Sequence, residues 1–518
     1  MTSNDAKYAC ISHCWGGGCS IKTTRANFDQ QLDSIPFADI PKTYSHVIQF
    51  LRWLGIRYMW IDSLCIVQDD VEDWAKESAM MGSVYARGYI TIAATGAPNN
   101  DAGCFVERPI VMLEGKPIFK KRRRGAVAED RRVRMMRTLA HSDPEDADTD
   151  ENAENADDEP DSSEASFSKP VTVYLRKHID HHSFWKGSDN DQAKILDDSA
   201  LPLLSRAWVY QERVLSHRIL HFTKDELVWE CMEEAMCECS GGDHSGHLTK
   251  AALSNPIFDS SLTRWEIADE WRRTVINYSD KQLTKTSDRL PAISGLAKRF
   301  AAFKGNVKYI AGFWADTLVR DLLWFVNEAG SMDPMDVRFP KWSWIAILER
   351  VSWHPWDASE RSSIKCTQYD VKLATSDSMG DVQQARIQIE GYLAPVQKVE
   401  RRDVNHNVEI DMGAQGILPK YRKAYLVTCW DSRMKSLSEE VKVTIYWDIP
   451  VDIENEPDDM LLLKMSESAV EIKFLVLMVM KEAGKGSVYL RIGMGMYERN
   501  NQPKGLFAPC IWERIWLI

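Results

Sequence analysis

No stretch of this 518-residue sequence is apolar for long enough to cross a membrane as a helix. The greasiest run, 474–480, falls far short of the roughly 20 residues that such a span needs. The opening residues 1–7 are polar and carry no apolar core of a signal peptide, so no secretory signal is expected. Regularly spaced cysteines are missing too. The 11 present are odd in number, which fits reduced thiols and predicts a cytoplasmic protein. A broad basic surface is lacking, since the net charge is -12, and general nucleic-acid binding is excluded on that ground. There is no P-loop, no Gly-x-Ser-x-Gly and no Ser-His-Asp pattern, which removes the commonest phosphate-loop and serine-hydrolase chemistries. Internal repeats are absent as well.

What is present is globular. Hydrophobic content of 44% and charged content of 27% are ordinary, and the length implies two or three folding units. Tryptophan is abundant at 19 residues, and its first use is to fill cores.

The N-terminal hundred residues alternate strand and helix signals. Tyr8-Ala9-Cys10-Ile11 reads as a strand ending in a glycine turn. Residues 41–54 read as a helix with Tyr44, Val47, Ile48, Leu51 and Leu54 on one face, stopped by Gly55. The near-continuous apolar run 58–67 reads as buried strand. Asp69 and Asp70 then stand where an N-cap belongs, before a helix to about Arg87 and a strand at 89–94. This order predicts an α/β fold, a mainly parallel sheet flanked by helices. Helix is expected again at 205–215, followed by strand at 218–222.

A charged insertion interrupts that pattern at about 116–169. The basic clusters at 120–124 and 131–134 precede an acidic tract at 143–164, a composition that predicts disorder. The basic residues read first as a solvated partner for the acidic run, with nuclear entry as the alternative. Beyond this module (1–240), amphipathic helices are expected over 250–335, including 265–277 and 294–303. A mixed, β-rich region is expected over 336–518.

Three blocks carry a family resemblance. They are Tyr8-Ala9-Cys10-Ile11-Ser12-His13-Cys14-Trp15-Gly16-Gly17; Tyr58-Met59-Trp60-Ile61-Asp62-Ser63-Leu64-Cys65-Ile66-Val67-Gln68-Asp69-Asp70 with its continuation through Trp74 and Glu77; and Arg206-Ala207-Trp208-Val209-Tyr210-Gln211-Glu212-Arg213. Together, and in this order, they resemble the fungal heterokaryon-incompatibility (HET) domain over roughly 8–230. Ala311-Gly312-Phe313-Trp314 and Pro340-Lys341-Trp342-Ser343-Trp344 are similar to segments that commonly follow such domains. Two departures stand out. The first block starts at Tyr8, where relatives often have a preceding strand, so a sheet edge is expected to be missing. His13 replaces the family's usual tyrosine.

The resemblance implies non-self recognition and programmed cell death in a fungus, exerted through a protein partner or self-association. HET domains also resemble TIR domains, whose layout is flavodoxin-like. Many TIR domains cleave NAD with a helical glutamate a few residues after a tryptophan; Trp74-Ala75-Lys76-Glu77 is similar. By that resemblance Glu77 is the catalytic carboxylate and NAD a substrate, with no tightly bound cofactor. Residues at strand ends supply the ligand site in such sheets. The candidates are Ser12, Cys14, Trp15, Gly16, Gly17, Asp62 and Asp69, joined by Arg206, Trp208 and Glu212 from the third block.

Plainer readings stand beside these. The glycines alone can make a tight turn. Glu77 can pair with Arg206 or Arg213, and the third block can be core with a capping ion pair. Cys231, Cys237, Cys239, His244 and His247 invite zinc but lack paired C-x-x-C spacing, and no metal is expected. The runner-up function is a non-catalytic interaction domain that acts by self-association.

Overall fold

A computed structural model describes residues 6–17, 21–106, 111–115, 171–175, 201–238, 262–326, 339–357, 359–402, 423–431, 436–437, 441–448, 460–482, 486–498, 507 and 510–518. The expected disordered stretch 116–169, the basic clusters, and Cys239, His244 and His247 lie outside them. The chain divides into one large unit, 1–105 with 182–518, and a small one, 106–181. In chain order the strands of the first half are β1 (Tyr8–Ser12), β2 (Tyr58–Trp60), β3 (Ile90–Ala93), β4 (Val111–Gly115), β5 (Val171–Leu175), β6 (Arg218–Phe222), β7 (Leu227–Cys231) and β8 (Ala235–Cys237). The small unit contains the antiparallel pair of β4 and β5.

The other six strands make one sheet in the order β2-β1-β3-β6-β7-β8. It is a mixed sheet whose larger part is parallel, as expected: β2, β1, β3 and β6 run parallel, and β7 and β8 add an antiparallel edge. The reason for that edge is local. Between β6 and β7 the chain turns back at once, with Thr223 N–H bonded to Glu226 O, and leaves no length for a crossover helix. A correction concerns 58–67. Strand β2 stops at Trp60, and helix α3 follows, after α1 (Phe28–Asp33) and α2 (Lys42–Trp53) earlier in the chain; α3 spans Asp62–Cys65. A short apolar run does not distinguish strand from buried helical turn, and Asp62 accepting from Ser63 N–H at 2.7 Å favours the turn.

Helix α4 (Val71–Arg87) begins as expected, with the Asp70 carboxylate accepting from Glu72 N–H and Asp73 N–H. Helix α5 (Ala207–Leu215) follows a 3-10 turn at Pro202–Ser205. Helix α2 covers one face of the sheet, its Tyr44, Val47 and Leu51 packed with Ala9, Ile11, Ile90 and Ile92. On the other face α4 sets Met81 and Tyr85 against Cys10, and α5 sets Val209 near Ala93 and Ile219. Strand β1 therefore lies inside the sheet with both faces covered, which is why its residues 9–12 are all buried.

Helices α6 (Arg264–Ser279) and α7 (Pro291–Lys304) continue this layer. Their core holds Trp271, Trp314, Trp324, Trp342 and Trp344, all fully buried, so these tryptophans are filling rather than platform. The Ala311-Gly312-Phe313-Trp314 and Lys341-Trp342-Ser343-Trp344 segments lock together: Trp271 and Trp344 both donate to Gly312 O, and Ser343 Oγ–H donates to Ala311 O. Gly312 holds φ +97 there, which favours glycine.

The last third is a closed antiparallel barrel. Val382–Arg402 pairs with Met460–Glu467, then Glu471–Glu482, Gly486–Glu498, Val441–Trp447 and Lys423–Asp431, which returns to the first strand. The greasy run 474–480 is explained by this position. Phe474 and Val476 belong to the barrel's own core, while Leu475 and Leu477 join the core shared with α5, α6 and α7. A strand buried on both faces needs no polar alternation. Among the described residues, no helix is long and apolar enough to cross a membrane.

Candidate functional site

The carboxyl end of β1 brings the first and third sequence blocks together. Ser12, the last residue of β1, donates its hydroxyl proton to Glu212 Oε2 at 2.5 Å, across 200 positions of chain. Glu212 is 5% exposed. Burial pushes its carboxyl up to about 7; the nearby Asp62 charge adds to this, while the Ser12 hydroxyl, Arg206 and Tyr85 pull it back. The Tyr85 hydroxyl donates to Ile11 O at 2.9 Å.

The neighbouring strand end supplies Asp62, which is partly exposed and accepts from Trp15 Nε1–H at 2.9 Å. His13 lies between. Its Nε2 bonds the Tyr44 hydroxyl at 2.7 Å and sits 3.8 Å from Asp62 Oδ1; Tyr44 reaches on to Ser63 Oγ at 3.0 Å. Burial holds the His13 imidazole below its ordinary value, against Asp62, so the neutral ring prevails at pH 7. Arg206, at the start of α5, donates from Nη1 to His13 O at 2.9 Å. Gly16 turns the chain at φ +76, with its backbone against Asn99, where an added Cβ would lie 2.6 Å from Asn99 Cβ. Gly17 opens to free space.

Of the predicted site residues, Ser12, Trp15, Gly16, Asp62, Arg206 and Glu212 are thus linked through direct bonds or adjacent positions. Cys14 is instead packed with Ala93, Leu203, Val209 and Ile219, and burial raises its thiol even against Arg206. Asp69 accepts from Arg25 N–H at 2.8 Å. Trp208 points its indole N–H at Asp288 Oδ2, 3.0 Å away, and meets Trp74 edge to face. Glu77 pairs with neither arginine expected of it. Its carboxylate is 3.2 Å from Lys76 Nζ and 16% exposed, whereas Arg213 is spent on buried Glu230.

His13, Tyr44, Ser63 and Tyr85 escaped the sequence reading as site residues. Two of them carried a signal. A tyrosine on an apolar helix stripe, as Tyr44 and Tyr85 are, buries a hydroxyl that must find a partner.

Residues 8–212 match the family model described as heterokaryon incompatibility protein (HET). The chain carries a HET domain. The match supports a heterokaryon-incompatibility-type role in general, and all of the linked residues above fall within it. No curated protein and no solved structure matches the chain. Chemically, the HET site sets two carboxyls in unlike surroundings: Glu212 buried and titrating near neutrality, Asp62 partly exposed. A buried carboxyl that exchanges its proton near neutrality suits general acid–base work.

Proposed function

We propose that the HET domain is an effector of fungal non-self recognition that leads to programmed cell death by hydrolysing the nicotinamide–ribose bond of NAD. The observation that carries this reading is the Glu212 carboxyl, buried at a strand end on Ser12 and poised near pH 7 beside Asp62. Trp15 offers a flat face for a ring, Arg206 and the turn at Gly16 and Gly17 offer donors for the diphosphate, and Asp62 with Glu77 accepts from ribose hydroxyls. As the C1′–N bond breaks, its electron pair passes to the nicotinamide nitrogen. Ionised Glu212 stabilises the positive sugar carbon; water adds there and releases one proton.

The test is nicotinamide release from NAD by the purified chain. Glu212→Gln and Asp62→Asn are each expected to lower the rate about 100-fold or more with folding intact, and Glu77→Gln to weaken it as well. Absence of release from a concentrated, assembled wild type would sink the enzyme reading.

One observation favours the second reading, a non-catalytic domain that acts by self-association. Strand β2 is a sheet edge, and beside it Trp53 is 79% exposed, with Leu54 and Tyr58 also open. Exposed apolar surface next to an edge strand is a template for association.

A further inference from the structure

The family match ends at residue 212, inside α5, yet that helix is closed by residues from beyond it. Gln282, between α6 and α7, bridges Arg206: its N–H donates to Ser205 O at 2.7 Å, and its carbonyl accepts from Ala207 N–H at 2.9 Å. Arg206 is the N-cap of α5 and makes no side-chain cap there, so Gln282 satisfies a helix donor that would otherwise be orphaned. Asp288 follows. One oxygen accepts from Trp208 Nε1–H at 3.0 Å and the other from the Ser287 hydroxyl at 3.3 Å.

The grip continues along α7. Gly295 N–H donates to Gln211 Oε1 at 3.1 Å. Gly295 also touches Gly82 of α4 so closely that a Cβ on either would lie within 2.8 Å of the other's Cα. Lys298 Nζ donates to Ala79 O at 2.6 Å. Helix α4 carries Glu77, and α5 carries Glu212 with Arg206 at its start; one segment holds both. Plain packing would not need a carboxylate here, since sequestering an acid costs more than an apolar contact, whereas an indole N–H held by a carboxylate has a fixed direction.

We infer that residues 282–298 are a positioning clamp for the HET site, with Asp288 the residue that sets α5 and, through it, Arg206 and Glu212. Asp288 is a positioning residue. The working module then extends past the family match to about residue 298, and any partner or modification that shifts this segment tunes the site. The inference rests on the reading of the strand-end cluster as functional.

Hydrogen exchange across 205–215 in the full chain tests it, with Asp288→Ala and Asp288→Asn beside wild type. Asparagine keeps an oxygen for Trp208 and removes the charge. Asp288→Ala is expected to speed exchange across 205–215 about tenfold while β1 and 486–498 stay at their wild-type rates, and Asp288→Asn to restore protection. Nicotinamide release in the same samples falls through kcat rather than KM in the alanine variant and recovers in the asparagine variant. Unchanged exchange at 205–215 in Asp288→Ala overturns the clamp, and so does uniform acceleration throughout the chain. If wild type releases no nicotinamide while exchange responds as described, the NAD reading fails and the clamp stands.

Discussion

At the residue scale, Glu212 couples the site to the stability of the fold. Its folded value of about 7 lies above the ordinary 4.5, so between those limits the folded chain holds a proton that the unfolded chain has released. Stability therefore falls as pH rises through that window and is fully diminished above it. The difference amounts to about 3 kcal/mol between about pH 5 and pH 8. Glu212→Gln, which cannot ionise, is expected to lose this slope. Urea midpoints of both proteins at the two pH values check it, and parallel pH dependences would refute the assignment. Groups with depressed values, such as Glu230 held down by Arg213 and His221 despite its burial, act in the opposite sense and at lower pH. The comparison of the two proteins removes their contribution.

At the scale of elements, the turn after β1 separates two glycines that look equivalent in sequence. Gly16 has φ +76 and no room for a Cβ beside Asn99, whereas Gly17 meets nothing within 4 Å. Gly16→Ala is expected to cost about 1–3 kcal/mol, and Gly17→Ala to stay within about 0.5 kcal/mol of wild type. Thermal melts of the two variants decide it; equal losses would mean that the turn is not strained. This contrast also marks how far the sequence could be read. The stripe from Tyr44 to Leu51, the Asp70 cap and β6 were legible because periodicity and caps are local signals. The end of β2 at Trp60 was not, since Ile61 and Ile66 are buried as either strand or helix flank. Nor was the Ser12–Glu212 bond, because nothing near Ser12 in the chain points to a partner so remote. Barrel closure is hidden for the same reason: Val396 opposite Cys429 and Thr444 opposite Met496 are pairings that only the folded chain brings about.

At the scale of the whole large unit, one hydrophobic core runs from Val214 and Leu215 of α5 through the tryptophan layer to Leu475 and Met494 on the barrel's outer side. A buried arginine bolts the barrel to that layer. Arg491, 2% exposed, donates from Nε to Asp448 Oδ2 at 2.7 Å and from its other nitrogens to Leu322 O and Trp324 O, with its guanidinium 3.5 Å from the centre of the Trp324 ring. Removing it leaves Asp448 buried without its countercharge and takes a donor from Leu322 O and from Trp324 O. Arg491→Leu is therefore expected to cost about 3–5 kcal/mol, and adding Asp448→Leu to recover much of that loss. Because the core is continuous, the cost should not stay in the barrel. Exchange at 207–215 and at 486–498 in rising urea should shift to lower midpoints together in Arg491→Leu. If 486–498 opens early while 207–215 keeps its wild-type midpoint, the barrel is a separate cooperative unit, and the HET site senses nothing beyond the helices that touch it.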